Sequence, residues 1–142
     1  MSANCFTYGS LMCSDIMSRV SGMALAGESA SLAGHARQPV AGEDYPGVVA
    51  DPAASVEGIL YRGLDGSALA RLDAFEGEMY ERVRVQVNLV GGGSVAAWCY
   101  IFRAPYQHRL LPGDWSFEAF LAGGKARFLA RYMGFAALEQ DK

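Results

Sequence analysis

The chain has 142 residues and a formal net charge of −3, with 51% hydrophobic and 19% charged residues. That length and composition fit a single globular domain over 1–142 with a substantial core, and they exclude a disordered chain. The 12 Lys and Arg are scattered, with no basic stripe to meet nucleic acid, and no apolar run approaches the ~20 residues of a membrane helix.

In chain order, residues 4–8 read as a short buried strand that ends at Gly9. Ser14 is placed to cap a helix running to about Val20, with Ile16, Met17 and Val20 on one face. Residues 30–40 look extended, since Pro39 opposes a helix there. Tyr45-Pro46-Gly47 is expected to be a turn into Val48-Val49-Ala50, with Asp51-Pro52 a second turn. Residues 56–61 form a strand interrupted by Gly58, where a bulge or a close backbone approach is expected.

Asp65 then caps a helix through about Phe75, whose apolar residues Ala68, Leu69, Leu72 and Phe75 have helical spacing. The pattern switches to period two over residues 80–90, with Val83, Val85, Val87 and Leu89 opposing Arg82, Arg84, Gln86 and Asn88. Gly91-Gly92-Gly93 turns this strand into a hairpin partner over 95–102. Trp98, Tyr100 and Phe102 alternate along that partner and read as core or sheet cover, and Trp115 reads as a packing anchor. Ser116 opens a last helical stretch in which Phe117, Phe120, Leu121, Phe128, Leu129, Tyr132 and Met133 stay nearly in phase, bent by Gly123-Gly124. The sum is an α+β fold: a small, strongly curled, mostly antiparallel sheet closing into a barrel, with a few helices around it.

Cys5, Cys13 and Cys99 are odd in number and none is in a CxxC pair, which predicts no structural disulfide and a reducing, cytoplasmic compartment. The start of the chain lacks the charged and apolar regions of a signal peptide. His35 and His108 have no Cys, Asp or Glu at metal-ligand spacing, so no metal is expected.

Two stretches carry the chemistry. Phe6-Thr7-Tyr8-Gly9-Ser10-Leu11 is a strand breaking into a glycine turn, whose N–H groups can hold a carboxylate or a developing oxyanion. Leu72-Asp73-Ala74-Phe75-Glu76-Gly77 runs off an amphipathic helix, and Glu76 lies beside its apolar face. Apolar walls raise a carboxylate's pKa toward the range useful for acid/base work, whereas an ordinary helix-end glutamate is solvated. Tyr80 can bring its ring to the same pocket, with its hydroxyl on a ligand or on Glu76. Arg82 can meet a substrate carboxylate or simply pair with a neighbouring acid. Ser10 lacks a G-x-S-x-G frame and is not read as a nucleophile.

Taken in order, Phe-x-Tyr8-Gly9-Ser10-Leu11, Tyr45-Pro46-Gly47-Val48-Val49, Val56-x-Gly58-x-Leu60-Tyr61, Leu72-Asp73-x-Phe75-Glu76-Gly77-x-x-Tyr80-x-Arg82 and Leu111-Pro112-Gly113-Asp114-Trp115 resemble the gamma-glutamylcyclotransferase-like superfamily, in its AIG2-like branch. The resemblance covers nearly the whole chain. It implies a small mixed β-barrel flanked by helices, a substrate-binding loop of Tyr8, Gly9, Ser10 and Leu11, and Glu76 as general acid/base. It implies conversion of a gamma-glutamyl amine or peptide to 5-oxoproline and a free amine, without metal or organic cofactor. The small-molecule gamma-glutamyl substrate is the partner it implies; the leaving amine and the oligomeric state stay open. An amide hydrolase or acyl remover on the same pocket, and a non-catalytic module binding small carboxylates, are the alternatives.

Overall fold

A computed structural model describes residues 3–132. Its strands are β1 (Ala3–Thr7), β2 (Gly27–Pro39), β3 (Pro46–Leu64), β4 (Tyr80–Leu89) and β5 (Ser94–Phe102). They close into a barrel in the order β1-β3-β2-β4-β5. The neighbouring strands are antiparallel, except that β1 and β5 meet in parallel at Cys5 and Trp98. The helices are α1 (Ser14–Ser21), α2 (Gly66–Glu76), α3 (Phe117–Ala119) and α4 (Lys125–Tyr132). This is the small mixed barrel with flanking helices that the sequence predicts.

Alternation along the strands divides the apolar residues into two cores. Phe6, Leu32, Val48, Leu60, Val87 and Cys99 come from all five strands and pack together, so they fill the barrel interior. Their neighbours in sequence, including Cys5, Tyr61 and Tyr100, point outward against Ile16 and Met17 of α1, Leu72 of α2 and Phe128 of α4. Gly58 sits where β3 crosses β1 so closely that a Cβ would collide with the carbonyl oxygen of Thr7 and the ring of Phe6. The hairpin between β4 and β5 turns on Gly92 and Gly93, both at positive φ.

Asp65 caps α2 as expected, its carboxylate accepting from Ala68 N at 2.8 Å. The start of α1 differs: Cys13 occupies the cap position, Ser14 is already helical, and the first turn carries Asp15, which accepts from Ile16 N at 3.0 Å. Pro46 and Gly47 already belong to β3. Asp51-Pro52 does not end that strand either. Between the pairs His35–Ala50 and Ala33–Ser55, β3 advances five positions while β2 advances two. The surplus residues form a bulge, and Asp51 accepts from Ala53 N at 3.0 Å. The local turn chemistry is therefore present, but long pairing on both sides carries the strand through it. After the Ser116 cap, Phe120–Gly124 widen into a π-helical turn between α3 and α4, where Gly123-Gly124 fall. Met133 lies outside the described residues.

Candidate active site

The end of β1, the end of α2 and the start of β4 converge where the two cores meet. Phe6 to Leu11, Tyr45, Pro46, Glu76, Tyr80 and Tyr100 line a narrow chamber of about 30 Å3. Of the residues predicted from sequence, Tyr8, Gly9, Ser10, Leu11, Glu76 and Tyr80 all lie on its wall. Arg82 does not. It points to the other side of Tyr100, where its Nε donates to Asp73 at 2.8 Å and its guanidinium lies 4.4 Å from the Trp98 ring centroid. Strand alternation puts Arg82 on that face, and Asp73 on α2 supplies the neighbouring acid.

The turn after β1 is tied from behind. Met12 N donates to Gly9 O at 3.0 Å and Cys13 N to Ser10 O at 3.1 Å, so these bonds leave the N–H groups of Gly9, Ser10 and Leu11 uncommitted to the turn itself. The carbonyls are held by side chains: Arg37 Nη1 donates to Tyr8 O at 2.9 Å, and the Tyr61 hydroxyl lies 3.0 Å from Leu11 O and 3.2 Å from Met12 O. Arg37 is in turn gripped by Asp114, at 2.9 Å from Nε and 3.2 Å from Nη2, and lies over Trp115 at 5.4 Å. Since the Tyr8 carbonyl and the Gly9 N–H share one peptide plane, Arg37 fixes the direction of that N–H. Gly9 itself approaches Pro46 closely enough that a Cβ would lie 2.8 Å from Pro46 Cδ.

Sequence reasoning missed Arg37. It lies on a strand 29 positions from its acceptor, and no periodicity marks it. The Leu111-Pro112-Gly113-Asp114-Trp115 stretch was visible, but its tie to the turn was not.

Glu76 is the last residue of α2 and is followed by Gly77 at φ 77°, a conformation that redirects the chain away from the helix axis. The residue as a whole is half-buried, and among the described residues its carboxyl has no hydrogen-bond or ion-pair partner. Burial alone pushes its pKa from 4.5 to about 8. The surrounding phenols do not relieve it. Tyr8 donates to Tyr100 O at 2.5 Å, Tyr80 to Pro46 O at 2.7 Å and Tyr100 to Asp73 at 2.7 Å. Tyr80 thus brings its ring to the chamber, but its hydroxyl goes to a backbone carbonyl and not to Glu76. Neither histidine lines this chamber, and among the described residues no three His, Cys, Asp or Glu cluster as metal ligands would.

Ser10, Tyr45, Glu76 and Tyr80 are shared with a wider outer chamber of about 260 Å3. One wall therefore carries the Gly9-Ser10 turn together with Glu76, and Glu76 also borders the open space of the outer chamber.

Comparison with known proteins agrees with this fold. A family model described as "Gamma-glutamyl cyclotransferase, AIG2-like" matches residues 5–117. AIG2-like protein A of Arabidopsis thaliana is 29% identical over 132 residues, covering 91% of this chain and 78% of the relative. AIG2-like protein D of the same plant is 31% identical over 115 residues, covering 80% and 75%. A solution structure from Arabidopsis thaliana aligns with TM-score 0.72 at 27% identity, over 97% of this chain and 93% of that one. A solved structure of a gamma-glutamyl cyclotransferase shares the fold, with TM-score 0.65 at 19% identity over 72% of this chain and 68% of that one.

Proposed function

The chain belongs to the gamma-glutamyl cyclotransferase, AIG2-like family, and on that premise we propose that it is a cofactor-free cyclotransferase. It converts a gamma-glutamyl amine or peptide into 5-oxoproline and a free amine, with Glu76 as general acid/base. The observation that carries this reading is the position of Glu76: one chamber wall holds both the Gly9-Ser10 turn and a carboxyl pushed to about 8.

The substrate contains its own nucleophile. Its α-amino nitrogen attacks the γ-carbonyl carbon, a C–N bond closes the five-membered ring, and the bond to the leaving nitrogen breaks. The proton lost by the attacking amine passes to Glu76 and then to the leaving nitrogen, so no water is consumed. An α-amino group has a reference pKa of ~7.7–8.0. Against an ordinary glutamate the proton transfer would be uphill by ~5 kcal/mol; with Glu76 at about 8 it is nearly balanced. Holding the chain bent for ring closure supplies much of the remaining acceleration, up to ~7–11 kcal/mol. The turn N–H groups receive the α-carboxylate or the oxyanion. A cytoplasmic location suits the three free, buried cysteines.

The test is a panel of gamma-glutamyl amino acids, amines and isopeptides assayed for 5-oxoproline. The parent should release it, and Glu76→Gln should lose at least ~10²–10⁴-fold in kcat, the span typical of a general acid/base. Near-normal turnover in that variant removes Glu76 from the role, and an open glutamate product identifies a hydrolase instead.

A further inference from the structure

A reaction at Glu76 divides its substrate between two spaces. The leaving nitrogen must come within hydrogen-bond reach of the carboxyl that protonates it. With the glutamyl half turned toward Gly9 and Ser10, the other substituent of that nitrogen falls into the outer chamber, whose wall also carries Glu76.

The chemistry of that wall is specific. Phe75 and Phe128 pack at 5.9 Å between centroids, Phe128 and Tyr132 at 5.0 Å, and Tyr45 and Tyr132 at 5.9 Å. The acid behind these rings is already committed: Glu43 accepts from Arg131 at 2.6 Å, Tyr45 at 2.9 Å and Tyr132 at 3.0 Å. Arg109, by contrast, is not paired with an acid among the described residues. It is exposed, its Nη1 lies 3.5 Å from Met79 Sδ, and its guanidinium lies 5.5 Å from the Tyr106 ring. Its backbone is anchored, because its carbonyl accepts from Ala41 N at 2.7 Å. Glu78, also exposed on this wall, balances Arg109 in charge, so the chamber has no general positive field; what it offers is one guanidinium fork. Such a fork beside aromatic faces matches a ligand with a flat apolar body and a carboxylate.

We infer that the outer chamber takes the leaving half of the substrate and selects an α-amino acid with an aromatic or large apolar side chain, its carboxylate held by Arg109. This rests on the cyclotransferase reading above.

Three probes separate the parts: gamma-glutamyl-phenylalanine, gamma-glutamyl-phenethylamine, which keeps the ring without the carboxylate, and gamma-glutamyl-glycine, which keeps the carboxylate without the ring. The parent should favour the first by at least ~10-fold in kcat/KM over either other, the factor expected from one charge-assisted hydrogen bond. Arg109→Gln should raise KM for gamma-glutamyl-phenylalanine by a similar factor, hold kcat, and erase the preference over phenethylamine. Equal use of phenylalanine and phenethylamine substrates, or indifference to Arg109→Gln, with 5-oxoproline still released, overturns the inference and leaves the reaction standing. If no probe turns over, calorimetric titration of the same three compounds decides. Preferential binding of gamma-glutamyl-phenylalanine that Arg109→Gln abolishes sustains the chamber assignment while the reaction fails; no binding, or binding indifferent to Arg109, overturns it.

Discussion

Glu76 should reveal itself in stability before any substrate is known. Its carboxyl titrates near 4.5 in the unfolded chain and at about 8 in the folded one. Below pH 4.5 both states are protonated and the residue has no pH-linked effect. Between 4.5 and 8 the unfolded state releases its proton while the folded state keeps it, so stability falls as pH rises by up to ~1.4 kcal/mol per unit. Above 8 the folded state also ionises and the loss levels off at ~5 kcal/mol. Because the side chain retains some contact with water, a plateau of ~2–5 kcal/mol is the working range. Glu76→Gln keeps the shape of the neutral acid and cannot ionise. Its stability relative to the parent, from urea unfolding at pH 4, 6, 8 and 9, should therefore be nearly flat at first, climb between pH 5 and 8, and level off. All other titrating groups are common to both proteins and cancel in the difference. A difference that stays constant across this range would mean that Glu76 is ordinary and solvated, and the acid/base argument would go with it.

Arg37 offers a test of positioning. Arg37→Met should lower kcat/KM by ~10-fold or more, the cost of a charge-assisted bond to the Tyr8 carbonyl, while Arg37→Lys recovers part of it; unchanged kinetics in Arg37→Met would show that the Gly9 N–H does not depend on it. Gly58→Ala should destabilise by at least ~3 kcal/mol, since the new methyl meets the Thr7 carbonyl, which is backbone and cannot swing aside; an unchanged urea midpoint would refute that close crossing. Asp65→Ala should cost ~1 kcal/mol by the same measurement, through loss of the α2 cap.

What could be read from the sequence was local. Period-two alternation at Val83, Val85 and Val87, the triple glycine at 91–93 and the Asp65 cap each express their structure within a few residues. So does Gly77, which α2 needs in order to end beside the pocket. Long-range geometry was not legible. Asp51-Pro52 has turn chemistry, yet pairing on both sides of it extends one strand from Pro46 to Leu64. Arg82 alternates correctly, but only the three-dimensional neighbourhood of Asp73 and Trp98 shows that it serves a different face from the chamber. Arg37 and Asp114 are 77 positions apart, and their grip on the first turn exists only once the barrel has closed.

The phenols explain how a lone glutamate can stay protonated beside so many polar groups. Four tyrosines line the chamber with it, and any one of them, by donating to the carboxylate, would favour its charged form and pull the pKa down. Each is instead satisfied elsewhere, Tyr8 and Tyr80 by backbone carbonyls, Tyr45 by Glu43 and Tyr100 by Asp73. Their rings supply apolar wall while their hydroxyls are turned away. Asp73, three residues before Glu76 on the same helix, takes the Tyr100 proton donor and pairs with Arg82 on the far side of that ring. Burial raises the pKa of Glu76, and no neighbouring hydroxyl donates to its carboxylate to pull it back down.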